Sequence, residues 1–309
     1  MKRVIVIGAG GFIGKALIEK LASCGYEVYA VLRDVSKLAR LDQDKIHPIK
    51  ADYSTYSFLS KQIPHGVESL IYLAWQGVSG EESLNTQIQE QNIHAAVVAM
   101  HQANLLDVKK FLFAGSSYQY RMQEYTVEGA SYLGKINLYG SAKQACVTFL
   151  NAMAHSYGVL FNSFLFTNVF GVGDFSRRTT NTFLTRLMKG EALDLIEGNH
   201  FHDWTYIDDA VRGIISVLEQ GHPYKEYYIG NRNLETFKSI VTRTRNVVCP
   251  KAELRFGKFI DNSFIDYTKI DLDALYYDTG FECKADFEES IRKTALWLES
   301  IEEESFSNI

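Results

Sequence analysis

The chain has 309 residues, of which 46% are hydrophobic, and a net charge of −5. It is long enough for one large domain or two, and a pI near 5.9 excludes the basic footprint of a nucleic-acid-binding protein. No apolar run approaches a membrane span, and because a core strand is predicted directly at the N-terminus we expect no signal peptide. The four cysteines lack Cys-x-x-Cys spacing, so we expect reduced thiols in a cytoplasmic protein. From the charge and the lack of long apolar runs we expect no nucleic-acid partner and no membrane partner.

The first fourteen residues carry the strongest local pattern. The apolar run at 4–7 predicts a parallel strand buried on both faces, and a helical pattern follows at 15–22. Between them, Gly8 permits a tight turn, Gly11 lets the backbone approach phosphates, and Gly14 allows close packing of helix on strand. The helix N-terminus adds free N–H groups and a favourable dipole. The alternative is an ordinary strand-to-helix turn, but the position at the start of the chain favours nucleotide binding.

Strands then alternate with helices, which predicts an α/β fold with a Rossmann-like, doubly wound parallel sheet. Ligands of such sheets bind at the carboxyl ends of the strands. After Gly171 the alternation breaks, so we expect a smaller mixed α/β cap at the C-terminal end. The predicted strands of the sheet cover residues 27–32, 47–51, 69–74, 110–115 and 160–168, with helices at 56–63, 83–104 and 139–157. Later elements are predicted at 177–190, 192–196, 210–220, 226–229 and 287–301.

Tyr139 and Lys143 form the most informative pair for chemistry. Four residues apart on a helix, they lie on one face about one turn apart. A neighbouring ammonium favours the phenolate, which brings the pKa of a tyrosine toward working pH. A Tyr-x-x-x-Lys spacing also arises by chance in a chain with 18 tyrosines. The evidence for a catalytic pair is therefore its position after the fifth strand, more than the spacing itself. Ser116 and Ser117, at the end of that strand, either orient a substrate oxygen or satisfy the backbone there.

Together these motifs resemble the extended short-chain dehydrogenase/reductases of the nucleotide-sugar epimerase/dehydratase family. The resemblance covers essentially the whole length and is specific for fold and cofactor chemistry, less so for substrate. It divides the chain into a dinucleotide-binding domain, 1–170 with about 202–226, and a substrate-binding cap, 171–201 and 227–309. The motifs that carry it follow in the expected order: Gly8, Gly11 and Gly14; Leu73 and Ala74; Ser116; Tyr139 and Lys143; the run 168–171; and the block 202–209.

The resemblance implies roles for single residues. Tyr139 would be the general acid/base, Lys143 would hold the nicotinamide ribose and depress the tyrosine pKa, and Ser116 would orient the reacting oxygen. The family's usual dimer would use helices 83–104 and 139–157. The implied dinucleotide-binding residues are Gly8, Gly11, Phe12, Ile13, Gly14, Arg33, Asp52, Leu73, Ala74, Tyr139 and Lys143. The implied substrate-binding residues are Trp75, Ser117, Asn168, Arg177 and His202.

Three departures from the family pattern concern the substrate. Dehydratases carry an Asp-Glu pair where this chain has Ser117 and Tyr118, so 4,6-dehydration is not expected. The arginine that grips the diphosphate is replaced by His202, a weaker and pH-dependent partner. The tail also lacks an arginine at 258–260. Either the arginines at 177 and 178 or Lys258 replaces that grip, or the substrate is not an ordinary nucleotide sugar.

Arg33 bears on the choice of dinucleotide. NAD-preferring members place an acid at the end of the second strand, where this chain has Leu32 and then Arg33. A guanidinium there suits a 2′-phosphate, which favours NADP over NAD; the alternative is a surface arginine paired with Asp34.

Three functions remain open from the sequence. The first is reduction of a 4-keto(-6-deoxy) nucleotide sugar with Tyr139 as proton donor. The second is a nucleotide-sugar 4-epimerase with retained NAD, and the third is a non-catalytic dinucleotide-sensing protein.

Other candidates are interpreted as structural. The eight histidines show no metal-ligand spacing, so no metal site is expected. Trp75 either walls the sugar site or packs under the cap. Asp208 and Asp209 are predicted to be a helix N-cap and its first-turn partner.

Overall fold

A seven-stranded sheet organises the chain, in a computed structural model that describes residues 2–39, 41, 44–120, 138–260 and 265–307, with side chains to residue 301. Its strand order is β3-β2-β1-β4-β5-β6-β11, and all its pairings are parallel. The strand order reverses between β1 and β4, which lie side by side. Sheets of this kind bind dinucleotides at such a topological switch point. The strands of this sheet are β1 (Arg3–Ile7), β2 (Glu27–Leu32), β3 (Ile46–Lys50), β4 (Ser69–Tyr72), β5 (Lys110–Ala114), β6 (Leu160–Leu165) and β11 (Glu226–Tyr228).

Helices cover both faces of this sheet, as predicted. In β1, Val4 and Val6 belong to one core cluster while Ile5 and Ile7 belong to the other, and all four side chains are fully buried. Successive strand residues point to opposite faces, so an unbroken apolar run is what a doubly covered strand requires. The helices are α1 (Phe12–Ser23), α2 (Leu59–Gln62), α3 (Thr86–Leu105), α4 (Leu138–Tyr157), α5 (Thr179–Met188), α6 (Ile207–Gln220), α7 (Phe237–Val248), α8 (Ala274–Thr279) and α9 (Phe287–Ser307).

Short strands of the second half pair with one another rather than with the large sheet. β8 is parallel to β13, and β9 is antiparallel to β12, while β7 pairs with β10. We therefore propose a dinucleotide-binding domain and a cap, as the sequence predicts, but with the boundary after Tyr228 and not at 226, because β11 belongs to the large sheet. These strands are β7 (Val169–Phe170), β8 (Leu193–Ile196), β9 (Phe201–His202), β10 (Thr205–Tyr206), β12 (Glu235–Thr236) and β13 (Leu254–Phe259).

The start of α6 differs from the prediction. The helix begins at Ile207 with Tyr206 as its N-cap, so Asp208 lies in the first turn and is not the cap. Asp209 is buried, and its carboxylate accepts hydrogen bonds from the backbone N–H groups of Lys284 and Ala285. It thus ties α6 to the segment that precedes α9, a long-range contact that local pattern does not reveal.

Within the described residues, no helix is both long enough and apolar enough to cross a lipid bilayer.

Candidate active site

The glycine turn joins β1 to α1 at the carboxyl edge of the sheet. Gly8 has a φ of +93°, and a Cβ added there would lie 2.7 Å from the backbone nitrogen of Ala74. A Cβ at Gly14 would lie 2.1 Å from the Gly8 carbonyl oxygen. Both positions therefore need glycine because the packing of the protein's own backbone leaves no space for a side chain. Leu73 and Ala74 lie against the turn, and the Leu73 N–H donates a hydrogen bond to the Ile7 carbonyl oxygen.

Gly11 has a different explanation. A Cβ there would meet nothing closer than the Gly8 carbonyl oxygen at 3.4 Å, which is ordinary van der Waals contact. The residue is exposed and is the N-cap of α1, and no side chain caps this helix in the described structure. The first-turn N–H groups, including those of Phe12 and Ile13, therefore face outward without partners from within the helix. Free N–H groups at a helix N-terminus are the feature that phosphate-binding turns share, and the glycine at 11 leaves them accessible.

Arg33 and Asp52 line one cleft, with a volume of about 970 Å³, together with Tyr53 and Gln76. Asp34 does not pair with Arg33 within the described residues; its carboxylate accepts hydrogen bonds from the Ser36 N–H and hydroxyl, at 3.1 and 2.6 Å. Hydrogen bonds from Ser54 lower the pKa of Asp52, which keeps that carboxylate ionised. The cleft thus presents the guanidinium of Arg33 and the carboxylates of Asp52 and Glu90.

Lys143, Tyr139 and Ser116 lie together at the ends of β5 and α4. Lys143 is 3% exposed, and its Nζ donates a hydrogen bond of 2.6 Å to the Ala114 carbonyl oxygen. The same Nζ lies 3.8 Å from the ring centroid of Trp75 and 5.9 Å from that of Tyr139. The aromatic faces offset part of the cost of burying this ammonium. The predicted pair therefore does share one face of α4.

The electrostatics of this group correct one expectation. Burial raises the pKa of Tyr139, whereas a hydrogen bond with Ser116 and the charge of Arg178 lower it. Burial also lowers the pKa of Lys143 to about 7, so this lysine is only partly protonated at neutral pH. The net shift of the tyrosine pKa is upward, and the expected depression by Lys143 is wrong for this structure. Desolvation outweighs the attraction of charges because both groups are removed from water.

Trp75 lies inside this group. Its ring packs edge-on against Tyr139 at 6.1 Å between centroids, and its Nε1 donates to Gln89 Oε1 over 3.0 Å. Tyr118, which the sequence singled out only for lacking a carboxylate, also packs edge-on against Tyr139, with 6.2 Å between the ring centroids. Tyr139 thus contacts two aromatic rings, and Trp75 stays a predicted wall of the substrate site.

The other predicted substrate residues are more dispersed. Ser117 is fully buried, and its hydroxyl has no hydrogen-bond partner among the described residues. Asn168 donates its side-chain N–H to Thr180 Oγ1 over 2.7 Å, which ties the residue before β7 to the start of α5. Arg177 is exposed, whereas Arg178 is half-buried and its charge acts on Tyr139. Of the two arginines, Arg178 is the one whose charge lowers the pKa of Tyr139; its guanidinium pairs with Asp174 at 3.2 Å, and the sequence offered it only as an alternative.

His202 is not a cationic partner at physiological pH. Its ring lies against Phe237, with centroids 5.6 Å apart, and its Nδ1 accepts a 2.8 Å hydrogen bond from the Asp203 N–H. Burial lowers the pKa of His202 to about 4. The expectation of a pH-dependent grip on diphosphate by this side chain is therefore corrected, since it stays neutral from about pH 5 upward.

This histidine gives the first testable prediction. Because His202 is neutral at any pH well above its pKa of about 4, its replacement by glutamine should leave the pH dependence of nucleoside diphosphate binding unchanged between about pH 5.5 and about 8. Titration calorimetry at several pH values measures this. A gain in affinity below pH 6.5 in the wild type that disappears in His202→Gln would contradict it.

Comparison with known proteins agrees with this geometry. The sequence profile of the NAD dependent epimerase/dehydratase family matches residues 4–230. The chain belongs to this family. It is 22% identical over 337 residues to UDP-glucuronate 4-epimerase 3 of Arabidopsis thaliana, covering 95% of this chain and 76% of that protein.

Two solved structures show the same fold. UDP-glucose 4-epimerase from Thermotoga maritima with UDP-glucose is 20% identical, with a TM-score of 0.79 over 97% of this chain and 99% of that one. A dTDP-glucose 4,6-dehydratase from Streptomyces venezuelae with NAD bound is 19% identical, with a TM-score of 0.79 over 96% of this chain and 97% of that one. Relatives of the chain thus include both epimerases and dehydratases, and one of these structures contains NAD.

Proposed function

We propose that this protein reduces a 4-keto(-6-deoxy) nucleotide sugar with a nicotinamide dinucleotide, NADP in preference to NAD. The observation that carries the proposal is the group formed by Ser116, Tyr139 and Lys143 at the carboxyl edge of a dinucleotide-binding sheet. Bound there, the dinucleotide supplies the hydride. A regulator that only sensed the dinucleotide would not need this group, which argues against the non-catalytic alternative.

Tyr139 is suited to donate the proton. Reduction of a carbonyl leaves negative charge on its oxygen, and the Tyr139 hydroxyl gives its proton to that oxygen as the charge forms. Because burial raises the pKa of Tyr139, the phenol is protonated at neutral pH, the form that reduction requires. Ser116 would donate a hydrogen bond to the same substrate oxygen and so fix its position. Lys143, with a pKa of about 7, would bind the ribose hydroxyls next to the tyrosine.

Dehydration lacks a suitable base directly after Ser116. Elimination of water needs a group to remove a proton from the sugar carbon, and the positions after Ser116 are a buried serine and a tyrosine. The 4-epimerase stays the second candidate, because the family match and the likeness to two 4-epimerases favour it. An epimerase would use the same three residues to oxidise the sugar and reduce it again.

The cofactor that copurifies separates these two reactions. A reductase should be purified largely free of dinucleotide and should consume NADPH when a 4-keto-6-deoxy nucleotide sugar is added. Retained NAD, with conversion of a nucleotide sugar and no net change in nicotinamide absorbance, would instead establish the epimerase.

Arg33 is the residue we expect to select NADP. It is exposed in the cleft of Asp52 and is left free by Asp34, so its guanidinium is available for a 2′-phosphate. Replacing Arg33 with serine should lower kcat/KM for NADPH about 10- to 100-fold, the value of one or two charge-assisted hydrogen bonds. The value for NADH should not change. Steady-state kinetics with both dinucleotides decides this, and an equal loss with each would contradict the assignment.

We also propose a homodimer. The outer surfaces of α3 and α4 form an apolar groove of about 600 Å³ lined by Ile93, Val97 and Phe149, and Phe149 is 55% exposed. Exposed apolar patches of this kind mark interaction sites. A second copy presenting the same two helices would cover the groove, as the resemblance to the family implies.

A further inference from the structure

Gln119 is a buried residue that the reaction described above does not use. It lies in the turn after β5 and is 1% exposed. Its Oε1 accepts a 3.1 Å hydrogen bond from the backbone N–H of Ser116, and its Nε2 donates a 2.6 Å hydrogen bond to Glu226 Oε2. The orientation of the amide is fixed by these two partners, because a carboxylate accepts only and a backbone N–H donates only.

Glu226 anchors this amide from the other side of the site. Besides Gln119, its carboxylate accepts hydrogen bonds from the hydroxyls of Ser163, at 2.8 Å, and Tyr120, at 2.7 Å. Ser163 belongs to β6, and Glu226 is the first residue of β11, which pairs with β6. The turn that carries Ser116 is thus fastened to two strands of the sheet through one carboxylate.

The backbone around Ser116 is adapted to this amide. A Cβ at Gly115 would lie 2.8 Å from Gln119 Oε1, so a side chain there would displace this amide oxygen. The backbone N–H of Gln119 also donates to the Ser116 carbonyl oxygen over 3.0 Å. Ser116 is therefore held by Gln119 at both its N–H and its carbonyl group.

We infer that Gln119 and Glu226 are positioning residues that hold Ser116 in the geometry it needs beside Tyr139. The inference rests on the proposed function, in which Ser116 and Tyr139 are the reacting pair. A displacement of about 1 Å in such a pair costs about 100-fold in rate. Among the described residues, the titratable or charged groups that act on or lie near Tyr139 are Tyr118, Arg178 and Lys143.

An exchange of charge between the two residues tests this directly. Gln119→Leu removes both hydrogen bonds of the amide, and Gln119→Glu places a second carboxylate against Glu226. In the double variant Gln119→Glu/Glu226→Gln, the residue at 119 still accepts from Ser116, and the amide at 226 can donate to it. We expect kcat to fall about 100-fold in both single variants, with KM for the dinucleotide unchanged, and to recover in the double variant.

The second readout is the ionisation of Tyr139, followed as the difference in tyrosinate absorbance between each chain and its Tyr139→Phe counterpart. Because the hydrogen bond with Ser116 lowers the pKa of Tyr139, loss of that geometry should raise it in the single variants, and the double variant should restore it. This titration needs no substrate, so it decides the inference even if the wild type turns over no nucleotide sugar, a result that would overturn the proposed function alone.

Two results would overturn the inference. One is wild-type kcat and wild-type Tyr139 ionisation in Gln119→Leu. The other is a loss of kcat that follows a loss of thermal stability, with Tyr139 ionisation unchanged and no recovery in the double variant, which would make the contacts only structural.

Discussion

Replacing Tyr139 with phenylalanine is expected to lower kcat about 1,000-fold, within the range that general acid catalysis contributes. The change removes one oxygen atom and leaves the ring that packs against Trp75 and Tyr118 in place. Dinucleotide affinity should therefore stay close to that of the wild type. Steady-state turnover and fluorescence titration with the dinucleotide measure the two effects separately.

Tyr157→Phe is the matched control for this variant. Tyr157 ends the same helix, α4, and its hydroxyl contacts His101 Nδ1 at 2.7 Å, away from Ser116. It should keep wild-type turnover. Retention of turnover in Tyr139→Phe, or an equal loss in Tyr157→Phe, would show that Tyr139 does not donate the proton.

Replacing Lys143 with methionine is expected to abolish most turnover and to stabilise the protein freed of dinucleotide. Burial lowers the pKa of Lys143 from 10.5 to about 7 in the folded chain. Below pH 7 both the folded and the unfolded chain hold the proton, and the full cost of the buried charge, about 5 kcal/mol at most, opposes folding. Loss of the hydrogen bond to Ala114 and of the contact with Trp75 reduces the net gain to about 2 kcal/mol.

The pH dependence of this gain is the diagnostic feature. Between pH 7 and 10.5 the unfolded chain binds more protons than the folded chain, so wild-type stability rises with pH. The advantage of Lys143→Met should therefore be largest at pH 6 and shrink toward pH 10. Urea unfolding at several pH values measures it, and an advantage that does not change with pH would contradict a buried, weakly basic Lys143.

Lys110→Met provides the contrast. Burial lowers the pKa of Lys110 to about 8, but its Nζ donates to the carbonyl oxygens of Val217, Leu218 and Gly221 at the end of α6. Removing it leaves these carbonyls without that donor, so we expect a destabilisation of about 1–2 kcal/mol with turnover unchanged.

The sheet and the proximity of Tyr139 to Lys143 were predictable from the sequence because their signals are local. The apolar run of β1 and the glycines that follow it require a specific turn, and the spacing of Tyr139 and Lys143 places both on one helical face. The start of α1 was predicted three residues late, at 15 instead of Phe12, because Gly14 is a poor helix former within its first turn.

The missed features depend on long-range packing. Gln119 and Glu226 are 107 residues apart, and only the pairing of β11 with β6 brings them together. His202 is neutral because it is buried, with the ring of Phe237 against it. A histidine at the position where the family has arginine does not reveal this burial. The upward pKa shift of Tyr139 likewise reflects burial, whereas the sequence shows only the neighbouring lysine.

The most direct measurement of the central claim is the nicotinamide absorbance of the purified protein with NADPH during addition of a 4-keto-6-deoxy nucleotide sugar. We predict loss of one NADPH for each sugar reduced, and no such loss in Tyr139→Phe. Unchanged absorbance while the protein, carrying retained NAD, interconverts two nucleotide sugars would contradict the reductase.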